Sequence, residues 1–296
     1  MKFRLFANKV KLVSLLVFIC LASCKKDVTV TKSNDSNAAT LSDSSTSAED
    51  NYYDVLNNAF VSYSDNTSVL ASSAANTGGT TTFSTEVNGS GSHLGCAIYT
   101  VDDTVQNHYP KTLTLDFGAG CTSADGIYRK GKLIYVLSGH LFSPGTTVSV
   151  SFVQYVVNGY GLQGAYSITN NSTQAGISFT TKVTNGIITY PDATNYHYSH
   201  NRTYTMTSGL STPYDVTDDV YSITGNSSFS DASGSSIVFN VSDPLIKAVS
   251  CHNISKGVVS FVYDQVVNGT IDFGDGTCDN LATLTAGNIQ KTVILR

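Results

Sequence analysis

Tryptophan is absent from this chain of 296 residues, and beyond the first 23 residues Glu49 and Glu86 are its only glutamates. The first absence removes the strongest sugar-stacking side chain. The second leaves any glycosidase-type acid and base pair to be built mainly from aspartates. No apolar run reaches the roughly 20 residues that a membrane-crossing helix needs. Basic residues number 17 against 22 acids, a net charge of −5, which argues against nucleic acid as a partner. Missing too are the Gly-x-Ser-x-Gly elbow, the zinc-protease His-Glu pattern and the phosphate-binding loop. Asp102-Asp103 and Asp218-Asp219 are adjacent pairs, and successive strand side chains face opposite ways, so both read as solvated turns. By the same alternation His197 and His200, three apart and flanked by Tyr196, Tyr198 and Tyr204, read as a β ladder and not a metal site. His93, in the glycine-rich GSGSHLG, reads as a loop residue.

What is present begins at the amino terminus. Lys2, Arg4, Lys9 and Lys11 precede the apolar run Leu12 to Leu21 and the small residues Ala22 and Ser23, the pattern of a secretory signal over residues 1–23. Leu21-Ala22-Ser23-Cys24 resembles the lipobox of bacterial lipoproteins. That resemblance implies cleavage before Cys24, diacylation of its thiol and acylation of the new amino terminus. Each buried methylene contributes about 0.8 kcal/mol, so several chains on one cysteine make a stable anchor. Lys25 implies, by the same resemblance, the outer membrane, and CKKD resembles the starts of Bacteroidetes lipoproteins, some of which face outward. Loss of residues 1–23 removes four of the 17 basic residues and no acid, leaving 13 minus 22, or −9. Residues 25–50 hold sixteen Ser, Thr, Asn or Asp among 26 and no aromatic. Residues 24–47 are therefore expected to be a lipidated cysteine and a disordered tether, with an end-to-end distance on the order of 28 Å.

Residues 48–296 read as the ordered domain. Ser47-Ala48-Glu49-Asp50 fits a capping box, and Tyr52, Val55, Leu56, Ala59, Phe60 and Tyr63 form the stripe of one short amphipathic helix that packs on the rest of the domain. From Thr80 onward, runs rich in Thr, Val, Ile, Tyr and Phe are broken every 8 to 12 residues by Gly, Asn, Asp or Pro. Clear runs are 146–157, 160–169, 176–183, 196–207, 236–241 and 257–263, and Asn158-Gly159, Asn185-Gly186 and Asn268-Gly269 signal hairpin turns. The expected fold is mainly β: a large antiparallel β-sandwich or barrel-like domain with one short N-terminal helix. No helical pattern separates the later strands, so a parallel sheet is disfavoured.

One phrase is written twice. LTLDFGAGCT spans 113–122 and GTIDFGDGTCDN spans 269–280. Cys96 precedes Cys121 by 25 residues and Cys251 precedes Cys278 by 27, and each second cysteine closes the phrase, as two copies of one supersecondary unit (about 96–137 and 251–295) would do. Four cysteines allow three pairings, and the repeat favours Cys96 with Cys121 and Cys251 with Cys278. Pairing between units is the rival; zinc is disfavoured because no two of these four cysteines have the two-to-four-residue ribbon spacing. Within the phrase, Asp116 and Asp272 suit strand-end caps, Phe117 and Phe273 suit the core, and the glycines suit positive φ. Calcium is the sharper alternative, with Asp272, Asp275 and Asp279 as weak candidate ligands; the first copy has Ala119 where the second has Asp275, so that set is not repeated.

DFGDG resembles the WDFGDG signature of polycystic-kidney-disease-type immunoglobulin-like domains over five residues, without its tryptophan. The lipobox, polar tether, DFGAGC with the following Arg129-Lys130-Gly131-Lys132, and the carboxy-terminal DFGDGTCDN together resemble a family of Bacteroidetes-type lipoproteins across most of the chain. No activity comes with that resemblance, and no cofactor is implied. The reading is an outer-membrane or cell-surface lipoprotein, lipid-anchored, whose β domain is a non-enzymatic binding module for a glycan, peptide or envelope protein. A structural envelope component and an aspartate-based hydrolase are the alternatives. Tyr155, Tyr160, Tyr166, Tyr196, Tyr198 and Tyr204 are the aromatic pool for a binding face, most of them expected to be structural.

Overall fold

Alternation with a period of two runs through nearly every segment after residue 110, and the strands obey it: Lys111–Asp116 buries every other side chain. A computed structural model describes residues 26–65, 81–84, 94, 96–103, 105, 107–212 and 216–295. Cys24 and the signal segment lie outside the described residues, as do Glu86 and His93. The strands are β1 (Thr81–Ser84), β2 (Ile98–Val101), β3 (Lys111–Asp116), β4 (Cys121–Thr122), β5 (Tyr128–Leu137), β6 (Thr147–Val157), β7 (Tyr160–Asn170) and β8 (Ser178–Thr189). They continue as β9 (Asn195–Ser208), β10 (Val220–Ser230), β11 (Ser236–Ala248), β12 (Lys256–Tyr263), β13 (Val267–Asp275), β14 (Leu281–Ala286) and β15 (Ile289–Ile294). Each pairs antiparallel with the next in one continuous meander, except that β4 sits off the path beside β5.

The fold is thus mainly β and antiparallel with an N-terminal helix, as expected; among the described residues the strands form one open sheet, not closed into a barrel and with no second sheet facing it. The place of a second sheet is taken by the helix α1 (Lys26–Asp65), whose 40 residues are about 60 Å long at 1.5 Å per residue. Bulges let the sheet curl round it. Register shifts occur between Lys130 and Lys132 on β5, Gln163 and Ala165 on β7, Ile223 and Asn226 on β10, and Val241 and Asp243 on β11. At the first, Gly131 has φ +79° and a Cβ there would lie 2.3 Å from the Gln154 carbonyl oxygen; at the second, Gly164 has φ +117° and a Cβ would lie 2.7 Å from the Gly186 Cα. Asn158-Gly159 makes the expected hairpin turn, both residues at positive φ. Asn185-Gly186 and Asn268-Gly269 do not: they lie inside β8 and β13, and the β12–β13 turn is made by Asp264 and Gln265. An Asn-Gly pair supplies positive φ or close approach, and a bulge uses these as readily as a turn does.

The expected disordered tether over residues 24–47 is corrected from residue 26 onward. Those residues are helical, and Ala38, Ala39, Leu41 and Ser42 are buried. Composition judges a segment by its own apolar surface, which here is small. Ala and Ser side chains, however, let the sheet approach closely, and the sheet supplies partners for the helix's polar groups. The Asn288 amide donates to Asp35 at 3.0 Å, Lys291 reaches Asp43 at 3.2 Å, and the Tyr190 hydroxyl donates to the Ser44 carbonyl. Ser47 lies within the helix, its hydroxyl 3.5 Å from that of Tyr160, so the capping box is not used and the helix is not short. The stripe itself holds: Tyr52, Val55, Leu56, Ala59 and Tyr63 are buried in a core shared with strands β2 to β15, and Phe60 packs against it.

Candidate functional site

Two features stand out, one holding α1 in place and one opening to solvent. The first is a row of acids on α1 met by cations that point inward from the sheet. Asp54 accepts from Arg129 Nε at 3.0 Å and from its Nη2, from the Tyr155 hydroxyl at 2.9 Å and from Asn58 Nδ2 at 3.0 Å, while Arg129 also reaches Asp125 at 2.8 Å. Arg129 is fully buried, and although burial disfavours its charge, Asp54 and Asp125 hold the guanidinium above its ordinary pKa. About one and a half turns earlier on the helix, Glu49 accepts from Arg202 Nη2 and from the Ser227 hydroxyl at 2.9 Å. Burial raises the Glu49 carboxyl, but the charges of Arg202 and His200 and the hydrogen bonds it accepts outweigh this and hold it at about 2. His200, bonded through Nδ1 to Tyr198 and through Nε2 to Thr181, each at 3.0 Å, is driven by burial down to about 4. These carboxylates are consumed by ion pairs, so neither pair forms an acid and base couple.

The second feature lies between β6 and β7. Their ladder runs from Thr147↔Thr169 to Val150↔Tyr166, breaks, and resumes at Val156↔Gly161. Residues 151–155 and 162–165 are left unpaired with one another. The Gly131 bulge on one flank and the Gly164 bulge on the other push the strands apart there, with Gln154 itself at φ +48°. The gap is a half-open cavity of about 550 Å³, within the range of small-ligand sites, roughly 300 to 1,000 Å³. Phe152, Val156 and Leu162 give it an apolar floor, and Lys130, Gln154, Gln163 and Thr189 bring polar groups to its walls. Tyr52 ties the floor to α1: its hydroxyl donates to the Gln163 carbonyl at 2.7 Å and its ring meets Phe152 edge-on at 6.1 Å. Tyr155, which also lines the cavity, reaches Asp54 from below.

The Arg-Lys-Gly-Lys stretch now resolves residue by residue. Arg129 points inward to the helix, Gly131 makes the bulge, Lys132 pairs with Asp116 at 2.7 Å, and Lys130 faces the cavity. No carboxylate among the described residues lines the cavity, so the two facing acids that a glycoside hydrolase requires are not brought together there.

The repeated phrase is architecture. The disulfides join Cys96 to Cys121 and Cys251 to Cys278, the pairing within units. Each unit is a three-strand antiparallel ladder, β2-β3-β5 and β12-β13-β14, whose middle strand ends in the phrase. Asp116 accepts from the Gly118 amide at 2.8 Å and Asp272 from the Gly274 amide at 2.9 Å, while Phe117 and Phe273 are buried. Asp275 and Asp279 cap Thr277 and Leu281 in the same way, and no group of three metal-ligating side chains occurs among the described residues. Asp103 caps a turn at the Val105 amide, Asp102 accepts from the Thr112 amide of β3, and Asp218 takes the Thr212 hydroxyl, but Asp219 departs from the solvated reading: it is buried and bonded to the Tyr221 hydroxyl. His197 is exposed and His200 buried, as alternation requires. Of the tyrosine pool, Tyr155, Tyr166, Tyr198 and Tyr204 are buried and Tyr160 and Tyr196 pack against the core. The cavity was signalled in the sequence only by Gly131 and Gly164, glycines inside strand patterns that mark bulges. No family model, curated protein or solved structure matches this chain.

Proposed function

We propose that this protein is a lipid-anchored outer-membrane or cell-surface binding module, whose ligand, a glycan or a peptide, occupies the cavity between β6 and β7. The observation that carries this reading is the break in the β6–β7 ladder where it opens on a cavity. On its inner side the break is met by the Tyr52 hydroxyl, which donates to the Gln163 carbonyl, and on its outer side it opens to a 550 Å³ cavity with an apolar floor and polar walls, the size of a small-ligand site. The anchor rests on the lipobox resemblance at Cys24, and the two disulfides suit an oxidising compartment.

A thermal-shift screen of the protein against glycan and peptide panels tests the binding. A ligand at 100 times its Kd adds about 2.7 kcal/mol, and Phe152→Ala, which removes part of the floor, is expected to abolish the shift. A ligand that shifts wild type and F152A equally binds elsewhere and overturns the assignment of the site. Cys24→Ala is expected to move the protein from the membrane fraction to the soluble envelope fraction and to abolish labelling by radioactive palmitate; retention in the membrane would remove the anchor.

A further inference from the structure

We infer that the ligand of the β6–β7 cavity is an acidic sugar, whose carboxylate is met by Lys130. The inference rests on the binding role assigned to that cavity above.

Charge leads to it. The chain has an excess of acids, 22 against 17 basic residues, yet among the described residues the cavity is lined by one cation and no carboxylate. Lys130 is exposed and takes part in no ion pair among those residues, although its neighbours Arg129 and Lys132 are both paired. A positive site kept clear of acids in an acidic protein discriminates against cations and favours an anion. The other polar groups favour a polyhydroxylated partner. Gln154 and Gln163 each present a side-chain donor and acceptor, and Thr189 presents a hydroxyl, the set that matches vicinal sugar hydroxyls. Phe152, half-buried and packed on Tyr52 and Tyr155, contributes apolar floor beneath a sugar ring, in a chain that has no tryptophan.

The test is calorimetric titration of the mature protein with trigalacturonate, triglucuronate and sialyllactose, each beside its methyl ester, which keeps the ring and removes the charge. At least one acid is expected to bind about tenfold or more tightly than its ester, the scale of a hydrogen bond to a charged group. Lys130→Met is expected to erase that difference, Lys130→Arg to retain most of it, and Lys182→Met, on another exposed lysine of the same sheet, to leave it unchanged. If acid and ester bind alike but F152A abolishes both, the inference falls and the binding role of the cavity survives. If none of the sugars binds and the peptide panel also produces no F152A-sensitive shift, both fall. Discrimination that K182M removes and K130M does not would overturn the assignment to Lys130.

Discussion

Asp54 gathers an arginine, a tyrosine and an asparagine about one buried carboxylate, and its net contribution is set by what is left behind when it goes. Asp54→Asn leaves Arg129 buried with only Asp125 to compensate it. Breaking a buried pair by removing one partner costs about 3 to 5 kcal/mol, so the urea midpoint of the variant is expected to fall steeply, and an unchanged midpoint would show that the pair is solvent-screened. Glu49 and His200 predict an acid limb. Glu49, at about 2 in the folded chain against 4.5 unfolded, contributes stability that is present above pH 4.5 and lost as pH falls through 2. His200, at about 4 against 6.5, is buried neutral; its contribution is present above pH 6.5 and is lost as pH falls through 4. Chemical denaturation is therefore expected to show stability declining from about pH 6.5 downward, and His200→Gln is expected to flatten the part between 6.5 and 4 while leaving the steeper fall below it. The alternation that separates His197 from His200 was legible in the sequence. The partners of His200 were not, because Thr181 and Glu49 come to it from a neighbouring strand and from the helix.

At the scale of elements, α1 is where expectation and structure part most. The stripe from Tyr52 to Tyr63 could be found because large apolar side chains recur at helical spacing. Residues 26–47 carry few such side chains, and their order comes from groups more than 140 residues away: Tyr190, Asn288 and Lys291. Single-segment composition has no access to those. A protein lacking residues 26–47 is expected to unfold at a markedly lower temperature or to aggregate, since strands β14 and β15 lose the helix they pack on; an unaltered melting curve would restore the tether. The bulges were half legible, since glycine inside a strand pattern is a recognised sign of them. Gly131→Ala must move the Gln154 carbonyl or the backbone, and is expected to cost more than the roughly 1 to 2 kcal/mol of an L-residue held in the left-handed region with open space. Gly126→Ala, at φ +80° with nothing within 4 Å, is the control. G131A is also expected to weaken binding in the cavity, because the bulge is what parts β6 from β7.

For the whole molecule, the repeated cysteine unit was readable because both copies lie in short spans of sequence. The curl of the sheet, and its packing on a helix instead of on a second sheet among the described residues, were not, because they arise from bulges summed over many strands and from a helix that enters the concave side. The register places the two bridges on opposite rims: Cys121 comes after β3 on the rim that carries the Asn158-Gly159 turn, and Cys278 comes after β13 on the other. They close the two ends of an open sheet, where fraying would start. By the chain-entropy model each loop of about 25 residues contributes roughly 3 kcal/mol. Cys96→Ser with Cys121→Ser and Cys251→Ser with Cys278→Ser are each expected to lower the melting temperature by several degrees, and the losses are expected to add, since the sites share no partners. A bridge whose removal changes nothing would have no stabilising part in the fold.

The oblique course of α1, from the β14–β15 turn at Asp35 to the β5–β6 turn at Tyr63, also sets how the molecule bears mechanical load. A pull on the amino terminus runs along the helix axis, and the groups that resist it, on β15, β9 and β5, are spread along that axis and strained in shear together. They do not open one after another as the rungs of a peeled hairpin would. The load passes through those pairs into β15, β9 and β5 at once, and from them to the strands alongside in the meander. A protein tethered by its amino terminus would thus meet drag along α1, through ion pairs that act side by side and not in series.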